Sequence, residues 1–144
     1  MNVVDGAPVA VEPVGFPDAG AGMIRTSIQD FMRFIATCAN GGSAHHTRIL
    51  QADTMSQMIE MKTPASLPEW LTGQGLGWMA SKLEGVPTPE HFGGDPGVFT
   101  AVYAEPATRS GVAVFTNTSA TAASKAAVKA IASRLLLVHR EPFS

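Results

Sequence analysis

Two apolar β-forming runs, Val98–Ala104 and Gly111–Thr116, constrain this chain more than any other feature. Only Glu105–Ser110, which includes Pro106, separates them, so the simplest arrangement is an antiparallel hairpin. In the second run Val112, Val114 and Thr116 alternate with Ala113 and Phe115, leaving both faces apolar. A strand apolar on both faces calls for cover on both sides of its sheet.

Helices supply candidates for that cover. Thr26 or Ser27 suits a helix N-cap, and Asp30 lies three positions after Ser27 in capping-box spacing. Phe31, Phe34, Ile35 and Cys38 follow at helical spacing, and Asn40-Gly41-Gly42 gives a left-handed stop. Ala52–Met61 predicts a second helix with Met55, Met58, Ile59 and Met61 as its apolar side and Asp53 in its first turn. Pro64 and Pro68 bound a loop. Gly75–Lys82 reads as a short strand with Leu76, Trp78 and Ala80 on alternate positions, followed by a connection punctuated by Pro87 and Pro89. Ser119–Val138 predicts a third helix whose inward face is Ala123, Ala127, Ala130, Ile131, Leu135 and Val138. The expected fold class is α+β, an antiparallel sheet of about three strands with helices packed against it. Residues 1–22 form an irregular arm with one short strand, 23–62 a helical segment, and 74–144 the sheet and final helix.

Composition excludes several functions. The 144 residues carry 10 basic and 12 acidic side chains, a net charge of −2, which does not suit a protein that tracks phosphates along nucleic acid. Charged residues are 15% and apolar residues 45%, so the chain can bury enough surface to offset its ordering entropy. No Lys or Arg precedes Arg25, so no signal-peptide layout is present, and no apolar run exceeds Leu135–Val138. No membrane partner is expected, and the compartment stays open between periplasm and cytoplasm. Cys38 is the single cysteine, placed on the apolar side of its helix as a small buried hydrophobe. His45-His46 lacks carboxylate or cysteine partners at ligand spacing, so neither metal nor cofactor is expected. Met55, Met58, Met61, Trp70 and Trp78 read as packing residues, and Arg109-Ser110-Gly111 as a hairpin turn.

The most informative stretch is His91-Phe92-Gly93-Gly94-Asp95-Pro96-Gly97. Its glycines, at the entrance to an apolar strand, let a ligand approach the backbone, and the N–H of Gly93 or Gly94 can hold an anion. From His91 to Asn117 the order is H-x-G-G-x-P-G, an apolar strand, Glu105-Pro106, a turn, and Gly111-Val-Ala-Val-Phe-Thr-Asn117. This resembles the serine β-lactamase and penicillin-binding-protein-like superfamily, in its class C β-lactamase and esterase branch. Upstream, Asp18-Ala19-Gly20-Ala21-Gly22-Met23 with Thr26-Ser27 and Asp30-Phe31-Met32-Arg33-Phe34 is similar to its "aGG(L/M)-ST-x-D-L-x-R-F" segment. Asn40-Gly41-Gly42 with Arg48-Ile49-Leu50, Thr54 and Met58 looks like its "GG…IL-x-x-x-T-x-x-x-M" stretch. Gln74-Gly75-Leu76-Gly77-Trp78 looks like its "yGLGW" strand. The matches run in order over roughly residues 17–117.

The resemblance implies a chemistry. In that family the serine of S-x-x-K attacks an acyl carbon, helped by the lysine and by a Y-x-N or S-x-N element. Two backbone N–H groups hold the oxyanion, one from the serine and one just after the K-T-G or H-x-G triad. By position the second donor is Gly94. His91 stands where the family has lysine, and Gly93 keeps the strand face open. The departures are as specific as the matches. No serine here has a lysine three positions later, and Tyr103, the only tyrosine, is followed by Ala104-Glu105, so S-x-x-K and Y-x-N are both absent.

Two functions follow. In the first, the chain is the C-terminal segment of a serine hydrolase of esterase, β-lactamase or peptidase type. It contributes the oxyanion strand, and its partner is the nucleophile-bearing segment, attached N-terminally or on another chain. The low charge then has a cause, because surfaces meant to be covered are written in core composition. In the second, the chain is a non-catalytic binding or self-assembly module on the same scaffold, and a homo-oligomer is expected.

Overall fold

A computed structural model describes residues 1–12, 15, 17, 19–22, 24–44, 46–61 and 73–140. The sequence begins with a hairpin of β1 (Asn2–Val4) and β2 (Ala7–Val9), paired antiparallel. Asp5 and Gly6 turn it with φ values of 49° and 78°, the positive angles of a tight primed turn. The expected arm thus holds two short strands where one was anticipated, and the overlooked signal is the Asp-Gly pair. The Met1 amino group donates to the carbonyls of Gly97 and Asn117, docking the hairpin at one end of the main sheet.

Helix α1 (Ile28–Ala39) starts as its sequence dictates. Ser27 accepts from the Asp30 N–H at 3.1 Å through its hydroxyl, which also donates to the Asp30 carboxylate at 2.8 Å. Asp30 therefore answers the cap through the side chain of Ser27, and it also pairs with Arg33. At the other end, the Gly41 and Gly42 N–H groups return to the carbonyls of Cys38 and Thr37, with φ of 63° and 86°. A short hairpin, β3 (Ser43–Ala44) with β4 (Thr47–Arg48), leads to α2 (Ala52–Ile59), which ends two residues before the expected Met61.

The predicted strand at Gly75–Lys82 does not form. Gly77 adopts φ 74°, the Gly75 N–H closes a turn onto the Trp78 carbonyl, and only isolated bridges at Gln74–Met79 and Met79–Glu90 remain. Lys82–Leu83 (β5) instead pairs with Val86–Pro87 (β6) around Glu84-Gly85. The third strand of the main sheet is the glycine-rich segment itself, β7 (Glu90–Asp95), beside β8 (Val98–Glu105) and β9 (Ser110–Thr116) in the antiparallel order β7-β8-β9.

Both faces of this sheet are covered, as the two-faced apolar pattern requires. On one face Ile35, Cys38, Met55 and Trp78 pack with Val102 and Ala104, bringing α1 and α2 onto the strands. On the other, Phe99, Ala101, Tyr103 and Val112 meet Val128, Ala132 and Leu136 of α3 (Ala122–Arg140). The sequence pattern places a neighbouring face of α3 inside. Val128, Ala132 and Leu136 are buried, whereas Ile131, Leu135 and Val138 are 48%, 52% and 56% exposed and Ala123, Ala127 and Ala130 are exposed too. The two apolar rows lie one residue apart, about 100° around the helix. Periodicity alone does not choose between them; the small Ala132 between two larger residues lets the helix approach the sheet. Phe34, also expected inside, is 53% exposed, because α1 meets the sheet through Phe31, Ile35 and Cys38. The architecture is mixed α+β with small antiparallel sheets.

Candidate functional site

The direction of the β7 main chain decides what it offers. Glu90 exchanges both backbone hydrogen bonds with Met79, at 2.8 and 2.9 Å, so its N–H and C=O point away from β8. Glu90 lies opposite Tyr103, and the register continues without a bulge through Phe92–Ala101 and Gly94–Phe99. In an antiparallel ladder every second residue shares that direction. Gly94 therefore turns its N–H outward, away from β8, and among the described residues it has no partner.

That outward edge lines a cleft of about 840 Å³. His91, Gly93 and Gly94 line one side and Ile24, Arg25 and Thr26 the other. All three residues singled out from the sequence, His91, Gly93 and Gly94, are exposed. Side chains on β7 alternate: Phe92 packs with the α3-side core, while His91 and Gly93 face the α1 side. Gly93 sits opposite Thr100, and a Cβ placed on it would lie 3.3 Å from the Thr100 hydroxyl. The floor is aromatic, with Phe31 and Phe115 at 5.4 Å between ring centroids and tilted by 54°.

Chemically the cleft offers a backbone N–H, an imidazole, a guanidinium, the Asp95 carboxylate, two threonine hydroxyls and an apolar floor. Among the described residues no serine or lysine lines it. Tyr103 does not fill the role of a base. It is 4% exposed on the opposite face of the sheet, hydrogen-bonded to Glu90, and burial followed by that carboxylate pushes its pKa up to about 12. Burial likewise raises the Cys38 thiol to about 11, which keeps it protonated and inert near neutrality.

The remaining candidates behave as packing or turn residues. Trp78 is buried, Met55 is fully enclosed, and Arg109 takes φ 56° in the β8–β9 turn. His46 is exposed, while His45 and Trp70 lie outside the described residues. Among the described residues no cluster of three or more His, Cys, Asp or Glu gathers, and no helix is long and apolar enough to cross a membrane. Sequence reasoning missed Arg25, Thr100 and Phe115 as cleft residues. Thr100 had a signal, a lone hydroxyl in an otherwise apolar run; Arg25 had none beyond being the first basic residue.

Comparison with known proteins agrees with the motif order. The family model described as Beta-lactamase matches residues 2–135. No curated protein and no solved structure matches the chain.

Proposed function

Since the chain belongs to the beta-lactamase family, we propose that it supplies the oxyanion-binding edge of a serine acyl hydrolase whose nucleophile comes from a polypeptide segment outside these 144 residues. The observation that carries this reading is the outward N–H of Gly94, unpartnered among the described residues, on the edge of a cleft whose described lining holds no serine and no lysine. An acyl carbonyl seated against β7 accepts that hydrogen bond, and the bond strengthens as the oxygen gains charge. Gly93 leaves room for the acyl group. His91, exposed beside it, orients the substrate or the base. The incoming segment brings S-x-x-K and Y-x-N: its serine attacks the acyl carbon as its proton passes to the base, the acyl–O or acyl–N bond breaks as that proton goes to the departing alcohol or amine, and water later hydrolyses the acyl-serine ester to release the acid and restore the serine.

A chromogenic ester and a chromogenic β-lactam test this directly. The chain alone hydrolyses neither above the buffer rate. Mixed with a family segment carrying S-x-x-K and Y-x-N, it restores turnover. Turnover by the chain alone, or none by the mixture, overturns the reading.

A second reading has its own observation. Ile131, Leu135 and Val138 form an exposed apolar stripe along α3, and β7 offers an outward edge at Gly94. Both suit self-association of a non-catalytic module. Light scattering that finds a dimer or larger species, broken by Leu135→Glu, favours it; a monomer at every concentration rules it out.

A further inference from the structure

A second groove, of about 1290 Å³, lies between α1 and α2, and no residue of β7 lines it. On one wall α1 presents Gln29, Met32, Arg33 and Ala36; on the other α2 presents Ala52, Met55, Ser56 and Ile59. Both sets follow the i, i+3, i+4, i+7 spacing of a single helix face. The floor is apolar, with Met55 buried and Met32 and Ile59 half-buried. The small side chains of Ala36 and Ala52 let a third backbone come close. Arg48 of β4 and Arg109 of the β8–β9 turn complete the rim. We infer that this groove takes an acidic amphipathic helix of another polypeptide, its apolar residues on the floor and its carboxylates against Arg48 and Arg109.

Charge sets the chemistry of the partner. The described lining holds three arginines and one carboxylate, Glu60, in a chain whose net charge is −2. Arg33 is already paired with Asp30, but neither Arg48 nor Arg109 pairs with a carboxylate among the described residues. Arg48 is held in place: its Nη1 donates to the carbonyls of Gly41 and Leu50 at 3.2 and 3.0 Å. Its Nε and Nη2 stay open, and that side of a guanidinium grips a carboxylate through two parallel hydrogen bonds. The Arg109 side chain has no partner among the described residues, and its backbone sits at φ 56°, where glycine would sit without strain. A ligand carboxylate accounts for an arginine kept at so unfavourable an angle on the rim of a groove. The floor suits a helix because Met32 and Met55, unbranched and flexible, adjust to the apolar side chains that arrive. From Gln29 to Ala36 the α1 wall is about 11 Å long, so two to three turns of the partner make contact.

Fluorescence anisotropy of the chain tests this with a fluorescein-labelled peptide of about 14 residues, leucine at helical spacing and glutamate on its flanks. Two control peptides share its length, one with lysine for glutamate and one with the same composition but leucines out of helical phase. The acidic helix should bind at least about tenfold tighter than either control and weaken as salt rises. Arg109→Gly should weaken it about fivefold while the thermal midpoint stays at or above that of wild type, because glycine relieves the left-handed position. Ala36→Glu changes an exposed position of α1, so it should abolish binding with the circular dichroism spectrum unchanged. A control peptide binding as tightly as the acidic helix, full affinity in either variant, or no saturation up to about 1 mM overturns the inference. An affinity loss in Arg109→Gly that accompanies a lowered midpoint overturns it too. Acylation with an S-x-x-K segment judges the edge reading independently, since β7 takes no part in this groove.

Discussion

Gly111→Ala is the substitution whose consequence the structure specifies most closely. A Cβ at Gly111 would lie 2.4 Å from the Ile35 Cγ2 and 3.0 Å from the Tyr103 carbonyl oxygen. Ordinary contact begins near 3.4 Å, so the Ile35 methyl must retreat by about 1 Å. Ile35 is fully buried among Cys38, Met55, Trp78, Val102 and Ala104, in an interior where side chains are closely packed. The added methyl should therefore push α1 off the sheet at a cost of about 2 kcal/mol. For a chain of this length that lowers the melting temperature by about 5–10 °C. Thermal unfolding followed by far-ultraviolet circular dichroism reads the shift. Ile35→Leu removes the clashing Cγ2 branch at nearly constant volume, so the double variant Gly111→Ala/Ile35→Leu should regain about 1 kcal/mol in a double-mutant cycle. A midpoint for Gly111→Ala within about 1 °C of wild type, or strict additivity in the cycle, would refute the close approach.

Alkaline pH should destabilise the fold in two overlapping steps. The folded pKa values of Cys38 and Tyr103 are raised from 9.0 to about 11 and from 10.0 to about 12, so the unfolded chain loses these protons first. Stability is intact below pH 9, falls as pH rises from 9 through 12, and the upper part of the fall disappears in Tyr103→Phe; a flat urea midpoint over that window contradicts this. At pH 8 about one Cys38 in a thousand is thiolate, so a disulfide reagent should label it only at the rate of unfolding, and rapid labelling of folded protein would show it accessible. Thr121 accepts from the Ser124 N–H at 3.0 Å at the start of α3, and Thr121→Ala should cost about 1 kcal/mol in a urea titration, whereas no change would show the cap to be idle.

The sheet and its cover were legible where pattern and chemistry agreed. Val98–Ala104 and Gly111–Thr116 have two apolar faces, and both are covered by helices. Ser27, Asp30 and Asn40-Gly41-Gly42 bounded α1 because capping is a local matter of hydrogen bonds and left-handed angles. The failures have equally physical causes. β7 is poor in β-branched residues, so His91–Asp95 carries no strand propensity and owes its conformation to the ladder with β8. Gly75–Lys82 has the alternation of a strand, but Gly77 turns it. On α3 two adjacent apolar rows compete, and only the sheet chooses between them. Gly94 could be singled out from its motif, yet the outward direction of its N–H depends on register, which a single sequence does not fix. The row Gly93–Thr100–Phe115 joins three strands and has no trace in local sequence.

The proposed oxyanion site depends on the Gly94 N–H. Gly94→Pro deletes that one donor at an outward-facing edge position, where the ladder with β8 loses nothing, and the nearest contact for a new Cβ is Ala120 at 3.4 Å. Intact-protein mass spectrometry of the chain mixed with an S-x-x-K segment and a reactive ester measures the acyl adduct on the segment's serine over time. Acylation that is about 100-fold slower or more with Gly94→Pro, at an unchanged melting temperature, is the predicted result. Equal acylation with the wild type and the proline variant would show that the Gly94 N–H does not hold the oxyanion.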